Sequence, residues 1–189
     1  MRTQRLLSHA IPIPGNLPPG VVLASVQSFI PFLDNHKTMT RYNETPPRPE
    51  SIANDPFFSL GDDTLRFYQA SELVTLAPGL SKEVTYHVVF QRISDGMRTR
   101  AEAPAGVVIR AEYTVRPRPN PTSPAGSDST GTGSTITAVG DEYELHEDVV
   151  VEANSLMMPF IIDSVVTAHH TICVGVIDEV AKSYFGTGV

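Results

Sequence analysis

The sequence predicts an α+β fold in which a curved antiparallel β-sheet wraps around one long C-terminal helix. Two observations carry this. From Thr64 to Ala153 the apolar residues recur mainly with a period of two, punctuated by turn signals such as Ser94-Asp95-Gly96, the mark of hairpin-linked strands. From Ser155 to Tyr184 the spacing lengthens to three and four, as in a helix that buries one broad stripe.

Gln4 to Ile13 alternates loosely and stops at Pro14-Gly15, a first strand and its turn. Pro18-Pro19 precede an apolar run, Val21 to Ile30, spaced for a helix with proline in its first turn, which Pro31 bends or ends. Thr38 to Glu44 reads as a short second strand. The prolines of Thr45 to Pro56 then make an irregular loop, after which Phe57, Phe58 and Leu60 are placed to cap a pocket. Four strands follow, Thr64 to Leu76, Glu83 to Ile93, Met97 to Ala103 and Val107 to Val115, with turns at Pro78-Gly79 and Asp95-Gly96 and a bend at Pro104-Ala105-Gly106. Arg116 to Gly140 is rich in Pro, Gly, Ser and Thr and predicts a flexible insertion loop without chemistry. Glu142 to Ala153 is the last strand, and Asn154 or Ser155 caps the helix, with Pro159 in its early turns. A length of 189 residues suits one domain, 1–189, with a sizeable core.

In the helix, Met158, Ile162, Val165, Val166, Ile172, Cys173, Val176, Ile177 and Val180 fall on one stripe, and Asp163, Thr167, Thr171, Asp178 and Lys182 gather opposite. His169 lies near the centre of the stripe. A sheet with one face covered by a single helix curls around it, and the space between them becomes a cavity, the helix-grip arrangement.

Composition removes several functions. A net charge of −7 lacks the basic field that nucleic-acid binding needs. No stretch approaches ~18 uninterrupted apolar residues, so no membrane span is expected, and the broken apolar pattern of the N-terminus is not that of a secretory signal, which reads as cytosolic. The single cysteine, Cys173, has no internal disulfide partner and reads as a buried thiol. His169-His170 are adjacent and point apart, and no Cys-x-x-Cys, His-x-x-x-His, P-loop, G-x-G-x-x-G or G-x-S-x-G motif occurs, so neither a metal nor a nucleotide cofactor is expected. The sequence leaves a homodimer open.

The succession Val84-Thr85-Tyr86 to Phe90, Asp95-Gly96, Ala103-Pro104-Ala105-Gly106-Val107, Leu145-His146-Glu147 and Asn154-Ser155-Leu156-Met157-Met158-Pro159-Phe160 resembles a fungal family of domains, DUF7053, similar to the START-like or SRPBCC superfamily. The resemblance covers nearly the whole chain apart from the two irregular loops, and its motifs are turns and core positions. It implies a helix-grip cavity of the kind that serves lipid carriers, hormone receptors, polyketide cyclases and aromatases. In a fungal setting it also implies a small cofactor-free biosynthetic cyclase, isomerase or pericyclase, including a Diels–Alderase type. No residue role is carried over from it, and fold alone does not choose among these activities.

Strand alternation sorts the candidate residues. Val107, Ile109, Ala111, Tyr113 and Val115 share an inner face, as do Tyr143, Leu145, Glu147, Val149 and Val151, and Val84, Tyr86, Val88 and Phe90, leaving Arg110, Glu112, His87 and Gln91 outside. His169 is either a core histidine satisfied by a neighbour or a pocket group able to move a proton. Glu147, if buried without a cation, has a raised pKa and acts as acid or base. Tyr113 and Tyr86 are hydrogen-bond donors or core packing. His170 sits at the boundary, and Arg98, Arg100 and Glu102 form a solvated face. Val88, Ile109, Met157, Met158, Phe160, Ile162, Val165 and Val166 are the expected walls. The expected activity is cofactor-independent cyclisation or isomerisation of an apolar natural-product intermediate; the alternatives are non-catalytic binding or carriage of lipid or polyketide-like ligands, and an interaction protein with a filled interior.

Overall fold

The computed structural model describes residues 1–77, 80–119 and 142–186, with side chains described outside 75–80. Among the described residues, seven strands form one antiparallel sheet: β1 Arg2–Ile13, β2 Met39–Thr45, β3 Arg66–Ala77, β4 Leu80–Ile93, β5 Gly96–Ala103, β6 Val107–Pro117 and β7 Tyr143–Asn154. Their order is β1-β7-β6-β5-β4-β3-β2, so every neighbour from β2 to β7 is also a neighbour in sequence. Only β1 is out of sequence, closing onto β7. The helix α3, Met158–Gly186, lies across the inner face, flanked by α1, Pro19–Val26, and α2, Ile30–Asp34. The fold is α+β, a helix-grip arrangement. The predicted turn at Pro78-Gly79 and the insertion loop from Asn120 onward fall outside the described residues.

The helix expected over Val21 to Ile30 is two helices. Phe29 takes a left-handed backbone, φ 69°, a costly conformation for a non-glycine residue. It is held there by burial: the Phe29 ring stacks on Phe90 at 5.2 Å, and the Arg92 guanidinium lies 5.6 Å from the Phe29 ring centroid. Pro31 therefore opens α2 in its first turn instead of ending α1.

The inner core joins Val84, Tyr86, Val88 and Phe90 of β4, Val107, Ala111 and Tyr113 of β6, and Leu145, Val149 and Val151 of β7 to the α3 stripe. Met158, Val165, Ile172, Cys173, Val176, Ile177 and Val180 are buried there, with Ile162 and Ile109 half-buried. By length and composition α3 passes the test for a membrane span. Its apolar stripe nevertheless packs against the sheet, as a core helix does.

The helix starts at Met158, three residues later than expected, because Asn154 caps the preceding turn, its Oδ1 accepting the Leu156 N–H at 3.0 Å. Phe160 is 83% exposed, since two residues turn it about 200° away from Met158. Met157 and Val166, at the margins of the stripe, are also exposed. These three are not walls of the interior. Gly175 marks a close approach: a Cβ there would meet Asn35 Oδ1 at 2.3 Å, and Asn35 donates to Glu179 Oε2 at 2.7 Å, tying the end of α2 to α3.

The outer face of the sheet is covered too. The segment between β2 and β3 folds over it, and Ile52 and Phe58 join Phe67 and Val89 in a second small core with Phe57 packed against it. Phe57 and Phe58 thus pad the outside of the sheet rather than capping an inner pocket, and Leu60 is exposed. Arg98, Arg100 and Glu102 do not form a free solvated face. Arg100 and Arg110 both pair with buried Asp55, at 3.1 and 2.8 Å, while Arg98 pairs with Glu112 and Arg100 with Glu102. Gln91 is buried, fixed by Ser59 and Asp62.

Candidate active site

The site begins as one rung of the sheet. In register, Glu147 of β7 stands between His9 of β1 and Tyr113 of β6, and alternation turns all three toward α3. Gly96 secures the position of Tyr113 from β5, because any Cβ at Gly96 would lie 1.7 Å from the Tyr113 carbonyl oxygen. Phe32 of α2 packs edge-on against the Tyr113 ring at 4.5 Å. From above, α3 lowers His169 and Cys173 onto the rung.

Glu147 has no solvent exposure. Its Oε2 lies 2.9 Å from His9 Nδ1, its Oε1 receives the Nδ1–H of His169, and the Tyr113 hydroxyl, 3.2 Å from His169 Nδ1, also bonds the carboxylate. The Cys173 thiol donates to Oε2 at 3.7 Å. A buried carboxylate needs such partners, since desolvating a charge without them costs several kcal/mol.

Burial alone pushes the Glu147 carboxyl up, but the His169 hydrogen bond and charge, the Tyr113 hydroxyl and the His9 field together hold it below the usual carboxylate range. The raised value expected for an unpaired carboxylate is thus reversed. The same burial, with the negative charge of Glu147 next to it, pushes the Tyr113 phenol and the Cys173 thiol well up. Both therefore stay protonated near neutral pH, and Cys173 is a buried, unreactive thiol.

Every hydrogen bond of His169 among the described residues runs through Nδ1. With that proton fixed by Glu147, the neutral ring carries its lone pair on Nε2, the arrangement that makes imidazole a base whose conjugate acid is stabilised from behind. His169 is thus satisfied by a neighbour and chemically competent at once. His170 is exposed, its ring 6.0 Å from that of His9.

Tyr86 sits on the inner face but apart from this rung, where burial, with the charge of the Glu72 carboxylate, pushes its phenol up. Among the expected walls, Val88, Ile109, Met158, Ile162 and Val165 belong to the inner core. Sequence reasoning passed over His9, although Leu7, Ile11 and Ile13 share its inner face and so signal it. Glu72 was passed over too, in alternation with Tyr68 and Ala70.

A cleft of about 410 Å³ opens where the sheet divides. The β4–β5 pairing stops at His87 and Glu102, while β3 and β4 continue together to Leu80. The cleft occupies this angle, lined by Tyr86, Ala103, Pro104, Val107 and Val108 among others.

Two solved structures share the fold over nearly their whole lengths. The Zhui aromatase/cyclase from Streptomyces sp. R1128 matches with a TM-score of 0.61 at 10% identity, covering 98% of this chain and 99% of the other. TTHA0849 from Thermus thermophilus matches with a TM-score of 0.52 at 10% identity, over 96% and 99%. No curated protein matches the chain in sequence. Residues 2–182 match the family described as "Domain of unknown function (DUF7053)".

Proposed function

The chain belongs to the DUF7053 family, and from that premise we propose that it is a cofactor-independent cyclase or isomerase acting on an apolar natural-product intermediate between the sheet and α3. One observation carries the reading: a carboxylate with no exposure, in an otherwise apolar interior, holds two imidazoles and a phenol. Perturbed, desolvated groups of complementary acid–base character mark functional sites more often than structural ones. The shared fold with an aromatase/cyclase supports a cyclase-like role.

The chemistry is proton transfer within one molecule of substrate. His169 Nε2 takes a proton from the carbon next to a ketone, and the enolate attacks a second carbonyl of the same chain, forming one C–C bond. The alkoxide then recovers the proton from the His169 imidazolium, so the product is an isomer of the substrate. Glu147 stabilises the transient imidazolium, and the Tyr113 hydroxyl, kept protonated, orients that pair. General acid–base catalysis of this kind is worth roughly 10²–10⁴ in rate.

The test is deuterium exchange at the α-carbon of a medium-chain methyl ketone, followed by NMR. Wild-type protein should accelerate exchange above buffer, His169→Asn and Glu147→Gln should lose about 100-fold or more of that acceleration, and His170→Asn should keep it. No acceleration by the wild type would sink the acid–base mechanism. A Diels–Alderase or other pericyclic variant, needing only orientation by the apolar walls, would then stand on substrate turnover alone. Carriage of an apolar ligand is favoured by one observation, that the cleft is lined by Tyr86 and not by His169 or Glu147.

A further inference from the structure

The two oxygens of Glu147 take different partners. Oε1 receives the Nδ1–H of His169, with the Tyr113 hydroxyl 3.2 Å from the same nitrogen. Oε2 lies 2.9 Å from His9 Nδ1 and takes the Cys173 thiol at 3.7 Å, a weak donor. An ionised carboxylate has no proton to give, so the proton in the His9 contact belongs to Nδ1.

A carboxylate held at one oxygen swings its plane about the last side-chain bond, because that torsion is broad. A donor fixed at the other oxygen sets the plane. His9 is such a donor. Its strand pairs with β7 in unbroken register from Arg2 opposite Asn154 to Ile13 opposite Tyr143. Leu7, Ile11 and Ile13 pack into the inner core beside it, and a slip by one residue would turn all of them away from α3. Neither ring has a hydrogen-bond partner at Nε2 among the described residues, which gives His9 a rival role as a second base. The Tyr113 hydroxyl, which stands at His169, marks His169 as the base instead.

We propose that His9 is a positioning residue: by donating to Oε2 it fixes the plane of the Glu147 carboxylate and keeps Oε1 on the His169 N–H while that ring takes its proton. The proposal rests on the reading of His169 as the base. It adds that the aim of this base is set by a strand from the other end of the chain.

Two substitutions test it. His9→Leu removes the donor at similar size, and His9→Asn places an amide N–H where Nδ1 stood. In the exchange of a medium-chain methyl ketone, His9→Leu should lose about tenfold in kcat at unchanged KM, the effect of one hydrogen bond to a charged group, and His9→Asn should keep the wild-type rate. Equal losses in both variants would make His9 an acid or base in its own right, and no loss in His9→Leu would make it a packing residue; either result overturns the positioning role. NMR of the ring nitrogens reads the tether without turnover. In the wild type both His9 and His169 should carry a proton on Nδ1; in His9→Leu the His169 Nδ1–H signal should shift, and in His9→Asn it should return. A wild-type His9 without a proton on Nδ1 overturns the proposal with no variant needed to fold, as does an unshifted His169 signal in His9→Leu. Absence of exchange by the wild type would overturn the reading beneath, and the ring spectra would still decide the tether.

Discussion

Glu147 serves stability and chemistry at once. Removing one member of a buried charged cluster leaves the others uncompensated, and His9 and His169, with side chains only 12% and 13% exposed, have little water to turn to when the carboxylate is gone. Glu147→Leu is therefore expected to lose the ketone exchange and to lower stability by about 3–5 kcal/mol, measured by denaturant unfolding; a variant as stable as wild type would show that the imidazoles and the phenol do not depend on the carboxylate. The pH dependence follows from signs. His36 is held below its ordinary value of 6.5, so the unfolded chain binds its proton first, and the stability it contributes is present above pH 6.5 and lost as pH falls. Glu147, held below 4.5, acts in the same sense at lower pH. Acid titration of the melting temperature should show two declines, and His36→Gln should remove the upper one; an unchanged upper decline would contradict the burial of a neutral His36.

The elements hold these residues by close approaches. Gly175 lets the end of α2 come against α3, and the displaced atom would be the short side chain of Asn35. Gly175→Ala should therefore lower the melting temperature despite the better helix propensity of alanine, and Asn35→Ala in the same chain should recover part of the loss. A stabilised single variant would show that the two helices have room to separate. What was legible at this scale followed from periodicity. The inner faces of β6 and β7, with Tyr113 and Glu147 on them, were readable from alternation, as was the buried stripe of α3 with His169 at its centre. The break at Phe29 was not, since its cause is the ring of Phe90 and the guanidinium of Arg92, more than sixty residues away. Nor was the lowered pKa of Glu147, which depends on partners delivered by β1 and α3.

In the whole molecule, the outer padding explains the main misreading of exposure. Alternation separates two faces but does not say which of them meets water, and here the segment between β2 and β3 buries Gln91 and Asp55 on the side that sequence assigns to solvent. The sheet order has a further consequence, in time rather than in space. β2 to β7 pair as each strand emerges, but His9 and Glu147 are 138 residues apart, and β1 finds no partner until β7 exists. Non-local closures of this kind are the slow steps of folding. The acid–base rung is accordingly the last part of the sheet to assemble, and His169 follows only when the final helix docks. A nascent chain thus carries Tyr113 long before His9 and Glu147 meet, and the buried charge of Glu147 is enclosed only after the strands on both sides of it are in place.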